Sequence, residues 1–95
     1  MRYGYGKEYD EKGFLKYEGY FNGVRNGIGK EYKDGKLIYE GEYLNGVRNG
    51  KGKEYNGNEV LFDGEFFNGQ KWNGNIIEYN KNDELIFKGQ YLKEM

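Results

Sequence analysis

An aromatic–x–glycine phrase returns four times along this chain, with its glycine at Gly19, Gly41, Gly64 and Gly89. The steps between them are 22, 23 and 25 residues, which leaves room in each copy for two strands and two turns and little else. The fullest copy reads Tyr39-Glu40-Gly41-Glu42-Tyr43-Leu44-Asn45-Gly46-Val47-Arg48-Asn49-Gly50-Lys51-Gly52-Lys53-Glu54-Tyr55. Residues 17–32 repeat it with one residue expected to be missing after Gly19. The copy that restarts at Phe62 is expected to carry one extra residue before Gly74, with Ile76 standing where Gly52 stood. The ends are half copies: 4–9 matches the trailing half and 87–92 the leading half. One repeat domain over 1–95 follows, as a half repeat 1–16, repeats 17–38, 39–61 and 62–86, and a half repeat 87–95.

Each copy is bounded by turn signals. Asn22-Gly23, Asn45-Gly46 and Asn68-Gly69 close one end, and Asn and Gly both tolerate the positive φ of a tight turn. Lys12-Gly13, Asp34-Gly35, Asn56-Gly57 and the cluster 80–83 close the other. Between them lie aromatic and branched segments that read as strands, roughly 2–9, 14–21, 27–32, 36–44, 50–55, 59–67, 73–79 and 84–92. No segment has a helical period, so the expectation is an all-β antiparallel meander of about eight strands.

Alternation sorts the faces. Leu37, Tyr39, Gly41 and Tyr43 share one side of their strand, and Ile38, Glu40 and Glu42 the other. Glycine weakens a strand unless something packs on it. Here glycines recur in step with rings, at Gly19, Gly27, Gly29, Gly41, Gly50, Gly52, Gly64, Gly74 and Gly89, and are assigned a structural role. Tyr39 and Tyr43 are expected to lie across Gly50 and Gly52, and Glu40 and Glu42 to face Lys51 and Lys53.

Composition narrows the function. The chain contains no Cys, His, Ser, Thr, Pro or Ala. Hydroxyl and thiol nucleophiles of the Ser, Thr and Cys kind are therefore missing, as are the His and Cys ligands of ordinary zinc sites. Fifteen basic residues against sixteen acidic ones give no field to draw in nucleic acid. Gly6-Lys7, Gly29-Lys30 and Gly52-Lys53 lack the Ser or Thr and the helix of a phosphate loop. The stretch 80–84 lacks the spacing of a calcium loop and reads as a lengthened turn, and Trp72 reads as a loop residue. The expectation is a protein that is not an enzyme and uses no cofactor or metal. The first residues hold no apolar run and no stretch reaches membrane-span length, so a soluble, cytoplasmic setting is expected.

Tyr39-x-Gly41-x-Tyr43, Asn45-Gly46 and Arg48-Asn49-Gly50-x-Gly52 together resemble the MORN (membrane occupation and recognition nexus) repeat, over essentially the whole chain. The wording Tyr-Glu-Gly-Glu-Tyr-Leu-Asn-Gly is also similar to the repeat variant of bacterial YwqK-type proteins described as antitoxins. The resemblance implies an elongated, twisted single-layer sheet curved into a groove, and a scaffold that receives an amphipathic helix or extended segment of another protein. Tyr17, Tyr39, Tyr43, Phe62, Phe66, Phe87 and Tyr91 are then the candidate partner-binding groove, because a one-layer sheet leaves its ring face partly open. The same rings are also the nearest thing to a core. The alternatives are an antitoxin-like binder, a self-assembling structural protein whose strand edges at 2–9 and 84–92 extend the sheet into another copy (Phe87, Gly89 and Tyr91 meeting it), a homodimer formed through a sheet edge or the groove, and a phosphoinositide or membrane-lipid module. Lys7, Lys30 and Lys53 would serve the last, against the neighbouring Glu40, Glu42 and Glu65.

Overall fold

Turn chemistry sets the strand lengths, and eight strands result. The computed structural model describes residues 3–93. It contains β1 (Tyr3–Tyr9), β2 (Leu15–Asn22), β3 (Val24–Lys33), β4 (Lys36–Leu44), β5 (Val47–Asn56), β6 (Glu59–Phe67), β7 (Gln70–Tyr79) and β8 (Leu85–Leu92). All pair antiparallel with their sequence neighbours in one open sheet, ordered β1 to β8. The expected all-β meander is what the chain forms. Arg2, placed in the first strand by its sequence, lies outside the described residues. Among the described residues no helix is long and apolar enough to cross a membrane. The Cα extents are 44 × 33 × 17 Å and the radius of gyration is 14.3 Å, against about 12 Å for a compact globule of this length.

Asn45-Gly46 and Asn68-Gly69 form two-residue turns with positive φ at both positions, at 51° and 90° and at 54° and 85°. The strands close around them with Leu44 opposite Val47 and Phe67 opposite Gln70. The two longer turns are built alike. Asp10 Oδ1 accepts from the backbone N–H of Lys12 and Phe14, and Asn80 Oδ1 from those of Asn82 and Glu84.

Several expected registers are corrected. β3, β5 and β7 begin three residues earlier than the sequence suggested, so Trp72 is a strand residue with its ring 5.0 Å from Phe67. The residue missing from the first copy comes out of the turn, where Asn22 faces Val24 across Gly23, and not from the strand after Gly19. Phe21 therefore stands where Tyr43 stands, 6% exposed, and Tyr20 faces solvent. Gly74 lies opposite Gly64 as Gly52 lies opposite Gly41. The third copy is thus shorter before that glycine, not longer. Ile76 lies opposite Phe62 on one side and Gly89 on the other.

Two rows cross the sheet at right angles to the strands. Gly6, Gly19, Gly29, Gly41, Gly52, Gly64 and Gly74 stand opposite one another from β1 to β7, and the row ends at Tyr91. The neighbouring row is Glu8, Tyr17, Glu31, Tyr39, Glu54, Phe62, Ile76 and Gly89. The bare glycine backbone is where the rings lie. A Cβ on Gly41 or Gly52 would strike the Tyr39 hydroxyl, and one on Gly19 or Gly29 that of Tyr17. Tyr39 thus covers Gly52 as expected, but Tyr43 does not cover Gly50. Tyr43 stands opposite Gly27, while Gly50 stands opposite Phe66 and lies under Glu42.

Candidate functional site

The ring face holds the buried cluster of the sheet, and it is closed. Phe21, Tyr17, Tyr43, Tyr39, Phe66, Phe62 and Tyr91 follow one another edge to face, with centroids 5.0–6.0 Å apart and interplanar angles of 74–90°. That geometry suits the quadrupoles of the rings. Tyr17, Tyr39 and Phe62 are fully buried, and Tyr43 and Phe66 nearly so. The hydroxyls of Tyr17 and Tyr39 donate to the carbonyls of Tyr20 and Glu42, so burial leaves neither unpaired.

A row of charges lies over the rings and was missed in the sequence. Arg25 stacks over Tyr17 at 4.4 Å, Arg48 over Tyr39 at 4.3 Å, and Lys71 stands over Phe62 at 5.5 Å. Carboxylates join them. Arg25 Nε donates to Glu8 at 3.0 Å, Arg48 Nε to Glu31 at 3.2 Å and Arg48 Nη1 to Glu54 at 2.8 Å. Lys71 Nζ lies 3.2 Å from Glu54, and the Tyr43 hydroxyl donates to Glu31 at 2.6 Å. The row alternates in sign from Glu8 to Lys71, which keeps each partly buried charge paired.

Ionisation follows from these contacts. Burial would raise the Glu31 carboxyl, but the Tyr43 hydroxyl, Arg48 and Arg25 outweigh it and hold it below its ordinary value. Burial opposes the charge of Arg48, and Glu31 and Glu54 more than restore it. Burial pushes the phenols of Tyr17, Tyr39 and Tyr43 up, and the Glu31 carboxylate adds to the rise at Tyr43.

The repeated Arg-Asn-Gly explains itself residue by residue. Arg25 and Arg48 cap the rings. The Asn26 and Asn49 side chains accept from the backbone N–H of Asn45 and Asn68, tying each hairpin to the turn of the next. Gly27 and Gly50, at φ 96° and 102°, form a bulge in which four residues of the trailing strand span two of the leading one. The signal for the arginines was present in this repeated phrase, but a second Asn-Gly beside the first reads as loop.

The groove residues expected from the sequence therefore divide. Tyr17, Tyr39, Tyr43, Phe62 and Phe66 come together as a buried core, which corrects the expectation that their face is partly open and agrees with their reading as the nearest thing to a core. The buried cluster also includes Phe21, which the sequence reading left out. Tyr91 packs against the end of this cluster, and Phe87 is 51% exposed on the last strand. A hollow of about 450 Å³ lies between Asn56, Glu59, Tyr79 and Asp83 and touches none of the rings of the core row. No group of three metal-type ligands occurs among the described residues.

The other face carries a charged row, flanked by exposed apolar side chains at Tyr5, Tyr20 and Ile28. Lys7, Glu18, Lys30, Glu40, Lys53 and Asp63 stand opposite one another across six strands, so Lys30 and Lys53 each have a carboxylate on both sides. Glu40 approaches Lys30 to 3.8 Å, and the Glu42 carboxylate accepts from the Lys51 backbone N–H at 3.3 Å. No protein-family model matches the chain, and no curated protein or solved structure matches it either.

Proposed function

We propose that this chain is a non-catalytic interaction scaffold of MORN-repeat type that takes its partner along the open edge of β8 by strand addition. The observation that carries the reading is a contrast in exposure. The inner rings are closed beneath Arg25, Arg48 and Lys71, while Leu85, Ile86, Phe87 and Leu92 on β8 are 51–77% exposed beside an unpaired backbone. An unpaired strand offers main-chain hydrogen bonds, and alternate side chains give a segment laid against it its register. The ring face does not serve, because reaching Tyr39 or Phe62 means displacing cations from their carboxylates. The opposite face presents an alternating row whose field cancels at short range, which also weighs against a lipid surface.

The test is affinity capture from source lysate with wild type and Phe87→Ser, after circular dichroism shows that the variant keeps its strands. Proteins retained by wild type and lost from the folded variant are expected. Capture that is unchanged by Phe87→Ser but lost in the folded Arg48→Met variant would overturn the edge reading and return recognition to the ring face.

A further inference from the structure

The two edges of the sheet are different halves of the repeat. β8 carries a leading half, Phe87-x-Gly89-x-Tyr91, and β1 a trailing half, Gly4-Tyr5-Gly6-Lys7-Glu8. Inside the sheet each leading half is paired with the trailing half that follows it, with Gly19 opposite Gly29, Gly41 opposite Gly52 and Gly64 opposite Gly74.

Both edges already have the shape of that pairing. Gly4 has φ 88°, close to the 96° of Gly27 and 102° of Gly50 that bulge their strands against the leading half before them. Among the described residues β1 has no strand on that side, yet the bulge glycine keeps its conformation. On β8 the Phe87 ring lies along its own strand, so that a Cβ on Gly89 would meet Phe87 Cζ at 2.5 Å, as one on Gly41 would meet the Tyr39 hydroxyl at 2.6 Å. Tyr39 goes on to cover Gly52 of the next strand. Phe87 has no such glycine beyond it, and Gly6 is touched only by Phe21, from its other side.

We infer that β8 of one copy pairs antiparallel with β1 of a second copy, with Gly89 opposite Gly6, Phe87 opposite Glu8, and the Phe87 ring over Gly6. The inference rests on the strand-addition reading and names its occupant. The contact is head to tail, so every copy added leaves one β1 and one β8 free and the sheet extends. One pair opposes it. Lys88 meets Lys7, where the internal pairs set Lys7 against Glu18 and Lys53 against Glu40. Association is therefore weak at low salt and strengthens as salt screens the two lysines.

The chain has no cysteine, so introduced thiols report the pairing directly. Single variants Lys7→Cys and Lys88→Cys are mixed under oxidising conditions at high salt, with Lys53→Cys as the mid-sheet control. The expected product is the mixed disulfide of Lys7→Cys with Lys88→Cys, in excess over either homodimer and over any product of the control. Homodimers in excess, or cross-linking no greater than the control, overturn the inference. A stronger cross-link of Lys7→Cys with Gln90→Cys overturns the stated register. By sedimentation, Lys88→Glu lowers the concentration for half-association about fivefold, the scale of one exposed pair turned from repulsive to attractive. Phe87→Ser, an exposed position, leaves a folded monomer at all concentrations tested. A chain that stays monomeric, while Phe87→Ser still abolishes capture of another protein, overturns the second copy as occupant and leaves strand addition standing. Capture unaffected by Phe87→Ser, with no mixed disulfide, removes both.

Discussion

The inner repeats and the C-terminal end are built from the same phrase, yet one buries its rings and the other does not. Tyr39 and Phe87 each lie over a glycine two residues ahead on their own strand. Tyr39 is fully buried because β5 supplies a second bare glycine, Gly52, and an arginine to cap the ring. Phe87 is half exposed, and among the described residues no strand pairs with β8 on its far side. The polar layer thins in the same direction. Arg25 and Arg48 are followed by Lys71, and Glu31 and Glu54 by Ile76. β8 is also displaced by two residues, so that Ile76 and not Gly74 faces its glycine. Burial in this one-layer sheet thus belongs to no single copy; each leading half is completed by the trailing half beside it.

That comparison breaks most visibly at the rings themselves. Tyr39→Ala empties a fully buried site and is expected to cost about 3–5 kcal/mol, whereas Phe87→Ala costs less than about 1 kcal/mol. Chemical denaturation of both settles whether burial follows position in the row. Next comes the glycine pair. A Cβ on Gly41 meets backbone at Lys51 and Gly52, which cannot swing aside, and Gly41→Ala should cost about 3 kcal/mol. On Gly89 the three atoms nearest the Cβ all belong to the half-exposed Phe87 ring, which can swing aside, and Gly89→Ala should cost less than about 1 kcal/mol by the same measurement.

The caps give smaller effects. Arg48→Met strips Glu31 and Glu54 of a partner and is expected to cost about 2 kcal/mol, whereas Lys71→Met at the thinner end costs about 0.5 kcal/mol. The pH profile should bend at both ends. Glu31 is held below its ordinary value in the folded chain, so its contribution is complete above an unfolded value of about 4.3 and drains away as pH falls through the lower folded one. Tyr39 and Tyr43 are raised, so theirs is complete below pH about 10 and is lost as pH rises through the higher folded values. Denaturant midpoints from pH 3 to 11 would show both limbs, and Arg48→Met should flatten the acid one. The smallest change sharpens the contrast. Phe62 occupies the tyrosine position of the earlier copies, and Phe62→Tyr offers a hydroxyl to the Glu65 carbonyl for a gain of up to about 1 kcal/mol in the same denaturation assay.

The meander was legible because turn dipeptides and the glycine period act locally. Gly19, Gly41 and Gly64 were recognised from spacing alone, and the two-residue turns at Asn45-Gly46 and Asn68-Gly69 from their chemistry. The starts of β3 and β5 were not legible, because Asn-Gly occurs twice within six residues and the pair carries the same preference for positive φ. In the second copy Asn45-Gly46 makes the turn and Asn49-Gly50 makes a bulge inside a strand. What separates them is the pairing partner, which lies outside the window. The burial of the candidate groove's inner rings was not legible for a related reason. Ring positions can be read from alternation, but whether a ring stays open depends on an arginine from the neighbouring strand, and in the sequence Arg48 reads as a loop residue.

The charge order on the opposite face reaches beyond one molecule's stability. Lysine falls on β1, β3 and β5 and a carboxylate on β2, β4 and β6. Removing or duplicating a whole hairpin keeps that parity, while losing a single strand would set lysine beside lysine. A gene encoding such a chain can therefore change length in units of about two strands without relearning how to pair them. Recombination between copies becomes a tolerated kind of error, and the number of repeats is free to vary where the sequence of each one is not.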